Sequence, residues 1–429
     1  MLGLTLYMRG FIQIRTAVHD SIFPRWQTWT AVFACYLVAV AFKAPAVTLP
    51  FILLLVDVFP LRRVHLFQGF DLRRWAHVLI EKLPFFFVAI AAAFLAIKAK
   101  DFNESRMPFS DWSADQRLAQ SAYGILFYVW KSLWPTGLAA YYELPNNLSL
   151  GVWPFNAMAG AVVVITTLVA LFARRAPGTL IAWLAYLILL APNLGIVQFS
   201  QQIAADRYAY FATMPLFVLL AAVLCCIAEG ALMPWPSTSR QKSELIDPAF
   251  VGRRRAVRWA LSIAFVAALG ASAIITHGGI RDWRDSVSLW RASVAANPEC
   301  EHSHCLLGQA LAADAQGLSD DEMPKALADA VRHLREAVRL RPDFAFAHMN
   351  LGAALLASGR PAEARASYAA ALSHAAMFHS DELARLHAGF ALACAFDGDM
   401  NEARHHIREA DRLGLPIEQL RRLRSAIPN

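Results

Sequence analysis

The sequence predicts an all-α protein, a polytopic transmembrane helix bundle followed by an α-solenoid of short helical repeats. Three observations carry that expectation. Of 429 residues, 57% are hydrophobic and only 17% charged, too apolar for an ordinary soluble protein of this size. The apolar residues gather between residues 28 and 277 in runs of about the length a helix needs to cross a bilayer. Beyond residue 281 the chain turns Ala-, Arg- and His-rich, with charge at helical spacing and a self-similar pattern of small and large residues. These features divide it into a polytopic membrane domain, residues 1–280, and a repeat domain, residues 281–429.

The first residues, MLGLTLYMRGFIQIR, hold an apolar stub too short to span, then basic residues, without a small-residue cleavage site. The stub resembles the tail of a hydrophobic helix that begins upstream. Apolar runs follow at about 28–42 and 45–60, hinged at Lys43-Ala44-Pro45 and stopped at Pro60-Leu61-Arg62-Arg63, then at about 79–98, 156–173, 180–197, 211–227 and 258–277. Lys and Arg accumulate in cytoplasmic loops. Arg9, Arg15, Arg25, the cluster Arg62, Arg63, Arg73 and Arg74, the Arg174-Arg175 pair and the Arg253-Arg254-Arg255 triplet therefore mark inside loops. The signs agree only if the aromatic segment 117–136, RLAQSAYGILFYVWKSLWPT, lies at the headgroup boundary instead of crossing. About seven crossings remain. Everything after residue 278 then falls on the outer, periplasmic face of the inner (cytoplasmic) membrane.

The net charge of +7 is assigned to those loops and to anionic lipid, and no nucleic-acid partner is expected. The crossings carry few buried charges, which argues against an ion-coupled transporter. Of six cysteines, only Cys300 and Cys305 lie close together outside the apolar runs, and two half-buried helix residues fit them better than a disulfide. No metal-ligand set emerges, and no cofactor is expected.

Between the runs ending at Val197 and starting at Phe211 stands a polar strip, QFSQQIAADRYAY, from Gln198 to Tyr210. It concentrates Gln198, Gln201, Gln202, the Asp206-Arg207 pair, Tyr208 and Tyr210 where a plain connector needs a few turn residues. Arginine forks onto phosphate or carboxylate oxygens, and amides and phenols hydrogen-bond sugar hydroxyls, which suits an anionic, sugar-bearing ligand. An interfacial belt, with the tyrosines at headgroup depth and Arg207 snorkelling, fits the same residues equally well. Lys131, between Trp130 and Trp134, either adds a second positive charge beneath the strip or snorkels from a surface helix.

The repeat is clearest in Leu351-Gly352, Leu355, Gly359, Glu363-Ala364, Tyr368 and Ala371, the spacings of a tetratricopeptide unit. An earlier copy holds Leu307-Gly308, Leu311, Ala330, Leu334, Ala337 and Pro342, its turn swollen by about ten residues near 317–325. A third holds Phe390-Ala391, Cys394, Gly398, Glu402-Ala403, Ile407 and Ala410, and Trp290 to Pro298 reads as a degenerate half-repeat. About three units just suffice to bury a continuous core. Their concave face is expected to hold a peptide or protein, with His387, His405 and His406 on solvated helix faces.

The blocks FKAPAVTLPFILLLVDVFPLRR (42–63), EKLPFFFVAI (81–90), VWKSLWPTGLAAYY (129–142) and ADRYAYFATMP (205–215), followed by the repeats, resemble the GT-C membrane glycosyltransferases. More closely, the chain is similar to the transmembrane-and-tetratricopeptide-repeat O-mannosyltransferases. The resemblance implies a transferase that moves a sugar, mannose in those relatives, from a polyprenyl-phosphate donor in the bilayer to an acceptor protein held by the repeats on the outer face. Arg207, Lys131 and Lys43 would hold the donor phosphate, Tyr208, Gln202 and Asp206 would orient the sugar, and an acidic residue would serve as general base. The family's catalytic acid belongs to a first outer loop that would lie upstream of Met1. The outside acids Asp101, Glu104, Asp111, Asp115, Glu143 and Asp206 do not match that position. The alternative is a non-catalytic membrane scaffold whose repeats recruit partner proteins.

Overall fold

The computed structural model describes residues 2–8, 26–67, 69, 71–102, 113–145, 147–195, 202–229 and 248–426. The chain separates into two compact units, one formed by residues 1–136 and 144–271, the other by residues 137–143 and 272–429.

In the first unit each apolar run becomes a helix. Among the described residues three helices are long and apolar enough to cross a membrane: Leu72–Ala99, Phe155–Phe172 and Arg255–Trp283. A fourth span is available if Asp206–Ala212 and Met214–Ile227, bent by 53° at their junction, act as one. Trp26–Phe42, Pro45–Val58 and Pro177–Asn193 are apolar but shorter. Only 6% of the apolar window of Phe155–Phe172, and none of that in Arg255–Trp283, is covered by protein. Helices apolar on all sides and left uncovered are at home in hydrocarbon, which supplies no competing hydrogen bonds to their backbones.

The 79–98 run begins earlier than its hydropathy indicates. Its helix, Leu72–Phe102, takes in Glu81 and Lys82. Those charges are tolerated because Asp57 and Arg63 meet them in the interior. This corrects the expectation of few buried charges in the crossings: the side chains of Asp57 and Lys82 are both 0% exposed.

In the second unit the repeats stack as expected. The helix pairs are Glu301–Asp314 with Met323–Leu340, Ala345–Ala357 with Pro361–Leu372, and Ser380–Asp397 with Met400–Arg412. Ser286–Ala296 precedes them, Trp290 and Val294 packing on the core, and Ile417–Ala426 follows with Leu420 and Leu423 buried. One apolar core runs through all of them. The swollen turn of the first repeat is a short 3-10 turn, Ala315–Gly317, and a loop to Met323. Gly398, at φ +94°, ends its helix in the left-handed conformation that turns the chain into Met400–Arg412, a backbone geometry costly for a residue with a Cβ.

Four side-chain placements differ from expectation. His387 and His406 are buried, their Nδ1 atoms 2.9 Å apart between the helices of the third repeat, while His405 is exposed. Burial, then the neighbouring His387 and His405, pushes His406 down to about 4, so it stays neutral near neutral pH. Consecutive residues on a helix point about 100° apart, which sends His405 to solvent and His406 inward. Cys300 and Cys305 are free thiols and both fully buried rather than half-buried, Cys300 capping the Glu301–Asp314 helix.

Candidate functional site

The polar strip and the aromatic helix are brought together. Ala114–Leu133 starts on a capping box, Ser113 Oγ accepting from the Gln116 N–H and Gln116 Oε1 accepting from the Ser113 N–H. Its buried face carries Gln120, Gly124 and Tyr128. Ser121 Oγ donates to the Leu194 carbonyl at 2.9 Å, and the Ala205 N–H donates to Tyr128 Oη at 3.0 Å. Gln120 Nε2 faces the Gln202 carbonyl at 3.5 Å. Gly195 holds φ +74°, a conformation strained for a residue with a Cβ, and a Cβ there would also displace the Gln120 amide. Of the expected ligand-orienting residues, Gln202 and Tyr208 are half-buried. Gln198 and Gln201 lie outside the described residues.

Burial pushes the Lys131 ammonium down, and the Asp206 carboxylate opposes that shift, so the two charges sense one another. Arg207 is exposed, its guanidinium 5.0 Å from the Tyr208 ring centroid, and Tyr210 is exposed beside it. Lys43 is exposed ahead of the Ala44–Thr48 turn, and among the described residues no hydrogen bond or ion pair joins it to the strip. Of the other outside acids, Asp115 accepts from the Leu150 N–H at 3.1 Å and so serves the loop, while Asp101, Glu104 and Asp111 lie where no side chain is described.

A second constellation is missing from the sequence reading. Lys82 Nζ lies 2.5 Å from Asp57 Oδ2, 3.0 Å from Glu81 Oε2 and 2.8 Å from Tyr7 Oη. Arg63 grips Glu81 through both terminal nitrogens, at 2.8 and 2.7 Å, and reaches Asp57 Oδ1 at 3.1 Å. Tyr7 donates to Asp57 Oδ1 at 2.6 Å. The rings of Tyr7 and Trp29 lie 5.3 and 5.4 Å from the Lys82 nitrogen. Two cations thus balance two anions, and each makes several short contacts, the condition under which buried charge is tolerable. Arg62 holds φ +52°, a left-handed conformation costing about 1 kcal/mol, and this turn swings Arg63 back until its N–H meets the Asp57 carbonyl at 2.8 Å. Arg63 is therefore a structural ion rather than a solvated topology marker.

On the repeat array, a groove of about 690 Å³ runs along Met323–Leu340 to the turn at Ala357–Arg360. Its floor is apolar, with Met323, Leu327 and Val331, and its rim carries Arg332, Arg335, Arg339 and Arg360 against Glu336. The four arginines rest in exposed pairs: Arg335 and Arg360 share Glu363, at 2.8 and 2.5 Å, Arg339 meets Glu336 at 2.6 Å and Arg332 meets Asp329 at 3.1 Å. Exposed pairs of this kind contribute about 0–1 kcal/mol each, so an incoming carboxylate can replace the internal one at little cost.

Residues 326–379 match a family described as tetratricopeptide repeat. Among solved structures the chain is similar to a thermophilic tetratricopeptide-repeat protein of Thermus thermophilus, at 19% identity, covering 39% of this chain and 95% of that one, with a TM-score of 0.27. No curated protein matches the chain. The C-terminal part is thus a tetratricopeptide-repeat array, a scaffold type that generally binds protein partners.

Proposed function

We propose that this chain is a membrane-anchored repeat protein of the inner membrane, its array on the outer face holding an acidic, amphipathic protein segment. The observation that carries the reading is the Met323–Leu340 groove, apolar at its floor with four arginines along it against the exposed acids Asp329, Glu336 and Glu363, a net positive rim. An apolar floor takes a segment's hydrophobic side chains, and a cationic rim selects carboxylates over ammonium groups. Peptides displayed to the detergent-solubilised full chain are expected to enrich for Asp and Glu spaced around apolar residues. Arg335→Glu with Arg339→Glu is expected to weaken the enriched peptides at least tenfold and to shift a new selection toward Lys and Arg. Enrichment without acidic bias, or indifference to the charge reversal, defeats the reading.

A second reading, sugar transfer from a polyprenyl-phosphate donor to that bound segment, is favoured by the strip's attachment to the aromatic helix. Lys131 and Asp206 are electrostatically coupled there, and Arg207 stands exposed over Tyr208. The pair of cations would hold the phosphate, with Gln202, Tyr208 and Asp206 toward the sugar, while among the described residues no hydrogen bond or ion pair joins Lys43 to this group. The activity is tested on membranes carrying the chain, given radiolabelled polyprenyl-phosphate sugars. Label is expected on protein, reduced at least a hundredfold by Arg207→Ala with Lys131→Ala. Transfer that survives the double replacement removes the phosphate assignment.

A further inference from the structure

Within the second unit, the segment 137–143 meets the first full repeat through a group that the reading above leaves unused. Glu143 closes the short extended piece Tyr142–Glu143, and Glu301 and His302 begin the Glu301–Asp314 helix. His302 Nδ1 lies 3.4 Å from Glu143 Oε1 and 3.7 Å from Glu301 Oε1, and the three donor atoms fall within 4.8 Å of one another. From these juxtaposed donors we propose that Glu143, Glu301 and His302 bind one divalent transition-metal ion, Zn2+ by preference, pinning the segment 137–143 to the first repeat.

The spacing carries the argument. Zinc holds imidazole nitrogen and carboxylate oxygen at about 2.0–2.2 Å, so the edges of its tetrahedron run about 3.3–3.6 Å. The two edges that meet at His302, 3.4 and 3.7 Å, need only small shifts to close around an ion. The imidazole is already oriented. Tyr141 stacks on it at 4.8 Å and 18°, and Phe344 lies 4.6 Å away at 39°. A ligand ring locked between aromatic neighbours loses little further freedom on metal binding. The three side chains remain 12–18% exposed, which leaves an entry path and room for a water in the fourth position.

Charge points the same way. Glu143 and Glu301 face one imidazole, and the nearby cation, Arg341, sits 3.5 Å from Glu301 Oε1 at long ion-pair range. A divalent ion supplies positive charge at the point where both carboxylates converge. The choice of zinc over calcium or magnesium follows from the imidazole nitrogen, since those harder ions take oxygen ligands. Cys300, next in sequence, approaches Glu143 but falls outside that group of mutually close donors, its sulfur committed to the helix cap, accepting from the Ser303 N–H at 3.4 Å and from Ser303 Oγ at 3.2 Å. The first coordination sphere is therefore nitrogen and oxygen.

A different cluster serves as the internal control. Cys394, Glu402 and His406 also place donor atoms within 4.8 Å of one another. Glu402 there is already held by Arg365, and His406 Nε2 stands 4.0 Å from its carboxylate. Its carboxylate is held by Arg365 at closer range than Arg341 holds Glu301, and its imidazole-to-carboxylate edge is longer than either edge at His302.

The test uses the full chain in detergent, stripped with chelator and titrated with Zn2+ against a chromophoric competitor. One ion per chain is expected, with affinity at least a hundredfold above that for Mg2+ or Ca2+. Glu143→Gln and His302→Ala are each expected to weaken it tenfold or more, while Cys394→Ser leaves it unchanged. Because a variant can lose its fold, the unmutated zinc-loaded chain is also measured by X-ray absorption, where a shell of nitrogen and oxygen alone is expected. A stripped chain that takes up no stoichiometric zinc overturns the proposal, as does a sulfur shell, binding lost with Cys394→Ser, or binding that persists in folded Glu143→Gln with His302→Ala. In any of those cases the three residues form only an ion-paired contact.

Discussion

Asp57→Ala is expected to destabilise the first unit by about 3–5 kcal/mol, the usual cost of removing one partner from a buried ion pair. The loss exceeds that of an ordinary contact because of what stays behind. Lys82, 0% exposed, keeps Glu81 and the Tyr7 hydroxyl, but its 2.5 Å partner is gone. The remaining group of Arg63, Lys82 and Glu81 carries one uncompensated positive charge in an environment that cannot solvate it. Hydrophobic burial cannot offset this, since alanine adds little apolar surface. The matching expectation is that Asp57→Leu with Lys82→Met regains most of the stability, because the Arg63–Glu81 pair that survives is neutral and bidentate. Unfolding of the detergent-solubilised chain in a graded SDS series measures both. If Asp57→Ala alone melts like the unaltered protein, the four charges are not a coupled network. Equal loss in the single and double variants would show that shape at position 57, not charge, sustains the site.

What the sequence disclosed and what it hid follow from distance along the chain. The apolar runs are legible because each helix's preference for lipid is written in its own side chains, and the structure returns a helix for each. The repeats are legible for a related reason: Gly352 and Tyr368 meet across one short turn, and Gly308 and Leu334 across the swollen one, so their pairing appears as spacing. The polar strip and the aromatic helix could each be singled out by composition. Their attachment through Tyr128 and Ala205, 77 residues apart, could not. The same limit hid Tyr7 with Asp57, 50 residues apart, and His302 with Glu143, 159 apart. A charge just after an apolar run signals topology by default, so Arg63 resembled its exposed neighbour Arg62 until the turn between them was known. His387 and His406 failed for a local reason. Among arginines and glutamates, a histidine resembles a surface residue, and only the helical phase set by Ala403, Ile407 and Ala410 shows that 406 faces the core while 405 does not.

Tyr368→Ala is expected to cost about 3–5 kcal/mol and to open the second and third repeats together, because that ring fills the space left by two glycines on different helices. Tyr368 is 3% exposed. A Cβ on Gly352 would lie 2.9 Å from its ring, and one on Gly389 only 2.6 Å from its hydroxyl. The ring also stacks on Phe390 with centroids 6.1 Å apart. Glycine is used at these two positions for proximity rather than for backbone freedom, since both sit inside helices. The pairing makes the prediction a cycle rather than a single loss. Gly389→Ala is expected to destabilise the unaltered array by about 1–3 kcal/mol through overpacking. In the Tyr368→Ala background the same methyl enters an empty space and is expected to cost nothing or to recover part of the loss. The coupling is then about 1–3 kcal/mol and opposite in sign to additivity of two damages. Hydrogen-exchange protection over residues 345–412 of the full chain reads it directly, and Tyr368→Phe, which keeps the ring, should stay within about 1 kcal/mol of the unaltered protein. Additive losses in the double variant would mean that Gly389 is there for its backbone, and that the ring does not bridge the two repeats.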